Sequence, residues 1–181
     1  MNNFNNFNQY KELALRTEIK DYKQVLERLD AITLRKLHGC QLHLEVQELE
    51  QAIINNDEIN IVEELGDCAW YLAVLSDVFN IDLTFSGKIT ATKDLTKIKQ
   101  LAFEIADNIK KVIFYNKQLH ELKDFIEKVE DIYFFFNQEF GNFWEIGLCK
   151  NVLKLQKRYG KQYTDVKANN RDIKAELEAL K

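Results

Sequence analysis

Apolar residues recur every three or four positions in two adjoining segments of the chain, which is the spacing of an amphipathic helix. The first stripe contains Leu42, Val46, Leu49, Ala52 and Ile53, and the second contains Ile61, Leu65, Cys68, Leu72, Leu75 and Phe79. This pattern predicts helices over residues 33–55 and 58–80. Asn55, Asn56 and Asp57 supply a turn and a helix cap between them. Because so short a connection joins antiparallel neighbours, we expect the two helices to pack side by side.

Helical patterning continues through the rest of the chain. It predicts helices over residues 8–29, 93–115, 118–139 and 145–159, and a last charged helix from residue 165. The segment 81–92 contains Ser86-Gly87 and β-branched residues, which predict a loop or a short extended piece. Proline is absent and glycine occurs six times, so few residues interrupt helices. We therefore predict an all-α fold in a single domain over residues 1–181, with residues 1–8 frayed.

An aromatic run, IYFFFNQEF, lies at residues 132–140. Helical packing by itself accounts for clustered phenylalanines, so we expect core or a subunit interface here rather than a platform that stacks bases. A subunit interface would make the protein a homo-oligomer, most simply a dimer.

Composition restricts the function classes. The formal net charge of −4 argues against a general nucleic-acid binder, because affinity for a phosphate backbone requires a basic surface. No apolar run is long enough to span a bilayer, and the N-terminus lacks the features of a secretory signal. The three cysteines are widely spaced and odd in number, so we expect no disulfide framework. These features predict a cytoplasmic protein that binds neither nucleic acid nor a membrane.

Four carboxylates fall on the two adjoining helices. Glu45 and Glu48 form an ExxE pair, and Glu64 and Asp67 form an ExxD pair. Glu45 and Glu64 project from within the apolar stripes and Asp67 lies at the edge of one, whereas Glu63 is expected to point the other way. A buried carboxylate without a partner costs several kcal/mol, so protons, basic partners or cations must neutralise this group.

A magnesium site is the interpretation that this pattern favours. Residues three apart on a helix lie side by side, so each pair can close on one ion. Hard divalent cations prefer carboxylate oxygen, and Mg²⁺ often completes its shell with water and substrate phosphates. The alternative is a salt-bridge network between the helices. Neither segment has Lys or Arg at the matching inward positions, which favours the metal.

A second polar group lies near the C-terminus. Asn151, Lys154 and Arg158 recur at three and four residues, so they share one face of the predicted helix. Arg binds phosphate oxygens through two parallel hydrogen bonds and Lys supplies a mobile charge, so this face is suited to a polyphosphate. By itself the same pattern is more often that of a solvated basic face, and the magnesium site is what favours phosphate binding here.

These motifs resemble a known family. LHGCQLHLEVQELEQAI at 37–53 and NIVEELGDCAWYLAVL at 60–75 are similar to the MazG-like all-α nucleoside triphosphate pyrophosphohydrolases, especially the phage-type branch. Asn151, Lys154, Leu155, Arg158 and Tyr159 match the NxxKLxxRY element of that branch. The tail NNRDIKAELEAL at 169–180 also resembles a common ending. The likeness covers about 33–80 and 148–180.

The resemblance implies a MazG-like antiparallel helical bundle in which residues 85–140 are additional helices inserted after the metal-site pair. It implies hydrolysis of an NTP or dNTP to the monophosphate and pyrophosphate, in a protein that forms a dimer. It assigns the metal, Mg²⁺ with Mn²⁺ as the alternative, to Glu45, Glu48, Glu64 and Asp67, which act in catalysis through that ion. Asn151, Lys154 and Arg158 become the substrate-binding residues.

Two positions depart from the family pattern. Leu44 stands where relatives often have Gly or Glu, and Gln47 stands where they often have Gly. A Glu at the first position can help to orient or deprotonate water, so the general base stays unassigned here. Gln47 is expected to face outward. The alternative function is a non-catalytic nucleotide-binding or regulatory module with a degenerate site.

Overall fold

The structure is a computed structural model that describes residues 26–27, 29–83, 94–121, 124–160 and 164–180. All regular secondary structure in these ranges is helical, which confirms the all-α fold class. The helices are α1 (Ala31–Gly39), α2 (Leu42–Ile54), α3 (Glu58–Phe79), α4 (Leu95–Tyr115), α5 (Phe125–Phe140), α6 (Asn142–Tyr159), α7 (Asp165–Asn169) and α8 (Ile173–Leu180), with a 3₁₀ turn at Leu119–Glu121. None of these helices is both long and apolar enough to cross a lipid bilayer. The frayed start, most of the helix expected over residues 8–29 and most of the segment 81–92 lie outside the described residues.

The two apolar stripes meet in the core as predicted. Helix α3 contacts α1, α2, α5 and α6, while α4 packs on α2 and α5. The buried residues that α2 and α3 contribute include Leu42, Val46, Leu49, Leu65, Leu72 and Leu75. Gln47 is exposed, as expected. Removal of these apolar side chains from water is the main stabilising term for the bundle.

The aromatic run of α5 belongs to this core. Phe134, Phe135 and Phe136 are buried, and the Phe136 ring stacks on Trp144 of α6 with 5.5 Å between ring centroids. The three consecutive phenylalanines are therefore core, the first of the two expectations for this run, whereas Gln138 and Glu139 near its end are exposed. The dimer expected from the same run therefore loses that support.

The helix predicted over residues 33–55 is wrong in one respect, because it is broken between Gly39 and Leu42. The Cys40 N–H donates to Leu37 O and the Gln41 N–H to His38 O, so the chain tightens into i→i−3 bonds at this point. Gly39 packs so closely on Leu75 that a Cβ would lie 2.6 Å from its Cδ2. The break therefore lies at a glycine, a residue that destabilises helices. The close contact with Leu75 requires a glycine at this position.

Two later boundaries also differ from the predictions. Helix α5 begins at Phe125 rather than 118, after Asp124 in the left-handed region at φ +63°. The charged tail forms two helices, α7 and α8, because the chain leaves helical geometry at Asn170. Apolar spacing alone did not indicate these interruptions.

Helices α3 and α6 cross at two glycines. A Cβ on Gly66 would lie 2.7 Å from both Gly147 O and Asn151 Cβ, and one on Gly147 would lie 3.1 Å from Val62 O. The two backbones therefore approach more closely than any side chain would allow. This contact brings α6 alongside the acidic part of α3.

Candidate metal centre

Three of the four predicted carboxylates converge. Glu45 and Glu48 lie one turn apart on α2, and Glu64 extends from α3. One carboxylate oxygen of each residue lies within 4.8 Å of those of the other two. Within the described ranges, no other group of three or more His, Cys, Asp or Glu side chains is close enough to hold a metal ion. The short turn between α2 and α3 produces this convergence, as the sequence predicted.

The electrostatics of this cluster reflect crowded negative charge. Burial is the largest effect and raises the pKa of Glu45 to about 7, with the charges of Asp67 and Glu48 adding to it. Burial also raises the pKa of Glu64 to about 8, with Glu48 as the next contributor. A hydrogen bond from the Glu64 carboxyl to Glu45 partly offsets the shift at Glu45. Without a cation the site therefore holds protons at neutral pH.

Asp67 lies beside the cluster but has partners of its own. Its Oδ1 accepts a 2.6 Å hydrogen bond from Asn151 Nδ2, and its Oδ2 lies 2.6 Å from Lys154 Nζ. Lys154 is 2% exposed and also donates to Glu63 Oε1 at 3.1 Å. The sequence predicted that Glu63 points away from the site. This prediction is wrong, because Glu63 contacts Lys154 of α6.

The residues of α2 and α3 alone therefore did not indicate that the acids have a basic partner. Lys154 comes from α6, 87 residues after Asp67. Lys154 was predicted to bind substrate from the same helix face as Asn151. Both side chains donate hydrogen bonds to Asp67. In this structure they hold that carboxylate. Their contact with a triphosphate stays a prediction.

A cavity of about 370 Å³ opens next to the cluster. Glu45 and Asp67 form its acidic part, and Arg158 supplies a cation. The other lining residues, apart from Leu155, carry aromatic rings and are His38, Trp70, Tyr71 and Tyr159. Trp70 and Tyr71 follow Asp67 by three and four residues, so helical spacing could have indicated that they share its side of α3. The space combines charged groups with flat apolar walls, which suits a ligand that has both phosphate and an aromatic ring.

Arg158 is held by the C-terminal helix. Its Nε lies 3.0 Å from Glu176 Oε1 and its Nη2 lies 2.5 Å from Oε2. Arg171 Nη2 donates to the same Oε2 at 2.7 Å. Burial alone would raise the pKa of Glu176, but the two guanidinium groups lower it to about 2. Neither Glu176 nor Arg171 was singled out from the sequence, because the pairing joins separate helices.

The fold and the site define a helical bundle with an acidic centre beside a cavity that an arginine and aromatic rings also line. Residues 39–100 match the model of a protein family described as the MazG nucleotide pyrophosphohydrolase domain. The matched segment contains all four carboxylates and covers about a third of the chain. Comparisons with curated proteins and with solved structures returned no match.

The match confirms the resemblance to the MazG-like family over this segment, and with it the MazG-like character of the helical bundle. The family is one of nucleotide pyrophosphohydrolases. Assignment to the phage-type branch stays a prediction. So do the single domain over residues 1–181 and the description of 85–140 as inserted helices.

Proposed function

We propose that this protein hydrolyses a nucleoside triphosphate, NTP or dNTP, to the monophosphate and pyrophosphate with Mg²⁺ as its cofactor. The observation that carries the proposal is the convergence of Glu45, Glu48 and Glu64 at the edge of a cavity that Arg158 also lines. Acidic and basic groups on one cavity suit a triphosphate that arrives with a divalent cation. The family match to residues 39–100 supports the same reaction class.

The residues present fit Mg²⁺. Oxygen atoms bound to one octahedral ion at about 2.1 Å lie roughly 3 Å apart when adjacent and about 4.2 Å apart when opposite. The three carboxylate oxygens lie within 4.8 Å of one another, close to the larger of these two separations. All three donors are hard oxygen atoms, which excludes a soft-metal preference. Mn²⁺, which takes the same donors, is the alternative.

Each residue then has a defined task. Glu45, Glu48, Glu64 and Asp67 would hold the ion, which lowers the pKa of an attacking water and offsets charge on the phosphates when it is bound. Asn151 and Lys154 keep the Asp67 carboxylate directed into the site. Arg158 would offset the remaining phosphate charge, as preorganised donors do.

The aromatic lining residues would contact the nucleoside. Trp70 and Tyr71 pack edge to face with 4.9 Å between ring centroids, and His38 contacts both rings. These contacts fix the orientation of the rings before a base arrives, so little conformational entropy is lost on binding.

Release of pyrophosphate from a panel of NTPs and dNTPs tests the proposal. We expect release that requires Mg²⁺ and stops in the presence of a chelator, with the nucleoside monophosphate as the other product. Nucleotide binding without pyrophosphate release would instead support the non-catalytic module. Release of inorganic phosphate alone would contradict the assigned bond cleavage.

A cytoplasmic location and a homodimer complete the proposal. The dimer is supported by exposed apolar residues on α6, among them Phe143, Ile146 and Leu153, rather than by the aromatic run of α5.

A further inference from the structure

Arg158 is fixed by a carboxylate from another helix. The two hydrogen bonds to Glu176 are parallel and engage Nε and Nη2 of the guanidinium. Glu176 is 3% exposed and Arg158 15% exposed, so water does not easily replace these bonds. A bidentate pair of this kind sets the plane of the guanidinium as well as its distance.

The pair would carry no net charge by itself. Arg171 supplies a second guanidinium, with its Nη2 2.7 Å from Glu176 Oε2, and it is 44% exposed. Two cations and one anion leave this three-residue cluster with a net charge of +1. Arg158 therefore keeps its attraction for an anion although it is bound to a carboxylate.

Arg158 is also part of the cavity wall. Arg158 lines the same space as Glu45 and Asp67, and Glu176 does not engage its Nη1 edge. The Arg158 Cζ also lies 5.7 Å from the centre of the Tyr159 ring. Helix α8, which carries Glu176, packs on α6 and buries Leu180. The C-terminal helix thus orients a cation that belongs to the cavity.

From this arrangement we infer that Glu176 is a positioning residue: it holds Arg158 in the orientation that binds the phosphates of the substrate, and Arg171 keeps the cluster positive. The inference rests on the proposed function for the identity of the ligand. It makes α8 a working part of the substrate site.

Glu176 could weaken anion binding through its negative charge or strengthen it by positioning Arg158. These two roles predict opposite effects for one variant. Glu176→Gln removes a negative charge from the cluster, so charge alone would strengthen the binding of an anion. If Glu176 positions Arg158, the same variant releases the guanidinium and weakens binding. The sign of the change therefore separates a positioning carboxylate from one that merely competes with the substrate.

Calorimetry with inorganic tripolyphosphate and Mg²⁺ measures this sign without depending on turnover. For Glu176→Gln we expect about tenfold weaker binding, the loss of roughly one charge-assisted hydrogen bond. In pyrophosphate release the KM should rise by a similar factor while kcat changes less. Glu178→Gln is the matched control, since it makes the same charge change at an exposed position of α8. It should bind tripolyphosphate as the wild type does.

A double-mutant cycle with Arg158→Ala tests whether Glu176 acts through Arg158. In that background Glu176→Gln should change tripolyphosphate binding by less than about twofold, because the group to be positioned is gone. Should Glu176→Gln fail to fold, Glu176→Asp keeps the charge on a shorter side chain and is expected to bind more weakly than wild type. Unchanged or tighter binding in a folded Glu176 variant overturns the inference, and so does a full effect without Arg158.

The outcomes keep the two proposals apart. If the wild type releases no pyrophosphate but binds tripolyphosphate through Arg158 and Glu176, the proposed reaction fails and the positioning role stands. If pyrophosphate release depends on Mg²⁺ but is insensitive to Glu176→Gln, the proposed reaction stands and the positioning role fails. A wild-type protein that does not bind tripolyphosphate overturns the positioning role.

Discussion

Glu48 has opposite effects on the stability and on the proposed activity of this protein. Its charge raises the pKa of both Glu45 and Glu64, so it repels the other members of the cluster when no cation is bound. It is also the exposed member of the three. Its replacement therefore does not leave a buried group unsatisfied, unlike replacement of Asp67, the partner of the buried Lys154.

Glu48→Gln is accordingly expected to raise the thermal midpoint of the metal-free protein by a few degrees while it lowers Mg²⁺-dependent pyrophosphate release by more than about 100-fold. Calorimetric unfolding and a pyrophosphate assay measure the two changes. Glu127→Gln, which removes an exposed carboxylate from α5, is the control and should alter neither. Near-normal activity of Glu48→Gln would remove Glu48 from the set of metal ligands.

The raised pKa values of Glu45 and Glu64 predict a pH dependence of stability. Both carboxyls have folded-state pKa values, about 7 and about 8, above their ordinary value of 4.5. The folded protein therefore binds more protons than the unfolded chain between these values, and the free energy of unfolding falls as pH rises through that window. Below about pH 4.5 this contribution is fully present.

For the metal-free protein we expect a loss of about 2 kcal/mol between pH 5 and pH 8, after allowance for the solvent that still reaches both side chains. For a chain of this size this lowers the thermal midpoint by roughly 4–8 °C. Mg²⁺ should raise the midpoint more at pH 8 than at pH 6, because it binds the charged carboxylates. A Glu64→Gln variant should show a flatter pH profile. Equal stabilisation by Mg²⁺ at both pH values would argue against a carboxylate site.

Prediction at the residue scale succeeded where a side chain conflicted with its neighbours. Glu45 and Glu64 were identified because an acid within an apolar stripe needs a specific cause. Lys154 did not conflict with its neighbours along the chain, because basic residues are common on the solvent-facing side of a helix. Its burial against Asp67 and Glu63 depends on another helix, which local pattern does not reveal.

At the scale of helices, the close crossing of α3 and α6 brings Asn151 and Lys154 of α6 to Asp67 of α3. Gly66→Ala would place a methyl group 2.7 Å from the Gly147 carbonyl oxygen. Helix propensity alone favours alanine by about 0.5–1 kcal/mol, but the backbone contact requires the helices to separate. We expect a net loss of about 1–3 kcal/mol in the free energy of unfolding, together with lower activity as Asn151 and Lys154 move from Asp67.

Chemical denaturation and the pyrophosphate assay check this prediction. Gly39→Ala is the matched comparison, because its methyl group would meet the flexible end of Leu75 and not a backbone atom. It should cost less and leave activity closer to wild type. A stabilised Gly66→Ala would show that the crossing is looser than described.

Element boundaries were predictable where capping chemistry marks them. Asp57 accepts a hydrogen bond from Asn60 N at the start of α3, and Asn80 takes a left-handed conformation at its end, close to the predicted 58–80. The break between α1 and α2 was not predicted, because the apolar spacing continues across it. It coincides with the contact of Gly39 on Leu75, which only the packed molecule contains.

At the scale of the whole molecule, the proposed dimer is testable through α6. Ile146 is exposed and lies between Phe143 and Leu153 on a helix that also lines the site. We expect light scattering to give twice the mass of one chain for the wild type, and a monomer for Ile146→Lys, because a buried ammonium in an apolar interface is unfavourable. Val166→Lys, an exposed position on α7, is the control. A monomeric wild type would contradict the dimer.

The sequence by itself determined the all-α class, the antiparallel pair α2 and α3 and the meeting of Glu45, Glu48 and Glu64, because helical periodicity and a short turn are local properties. Only the tertiary structure decided the partners that come from distant segments. These are Lys154 at Asp67, Glu176 and Arg171 at Arg158, and the close approach of Gly66 to Gly147. Such contacts depend on the distance between helix axes and on which faces meet. These quantities follow from packing the whole chain at once, and no single segment encodes them.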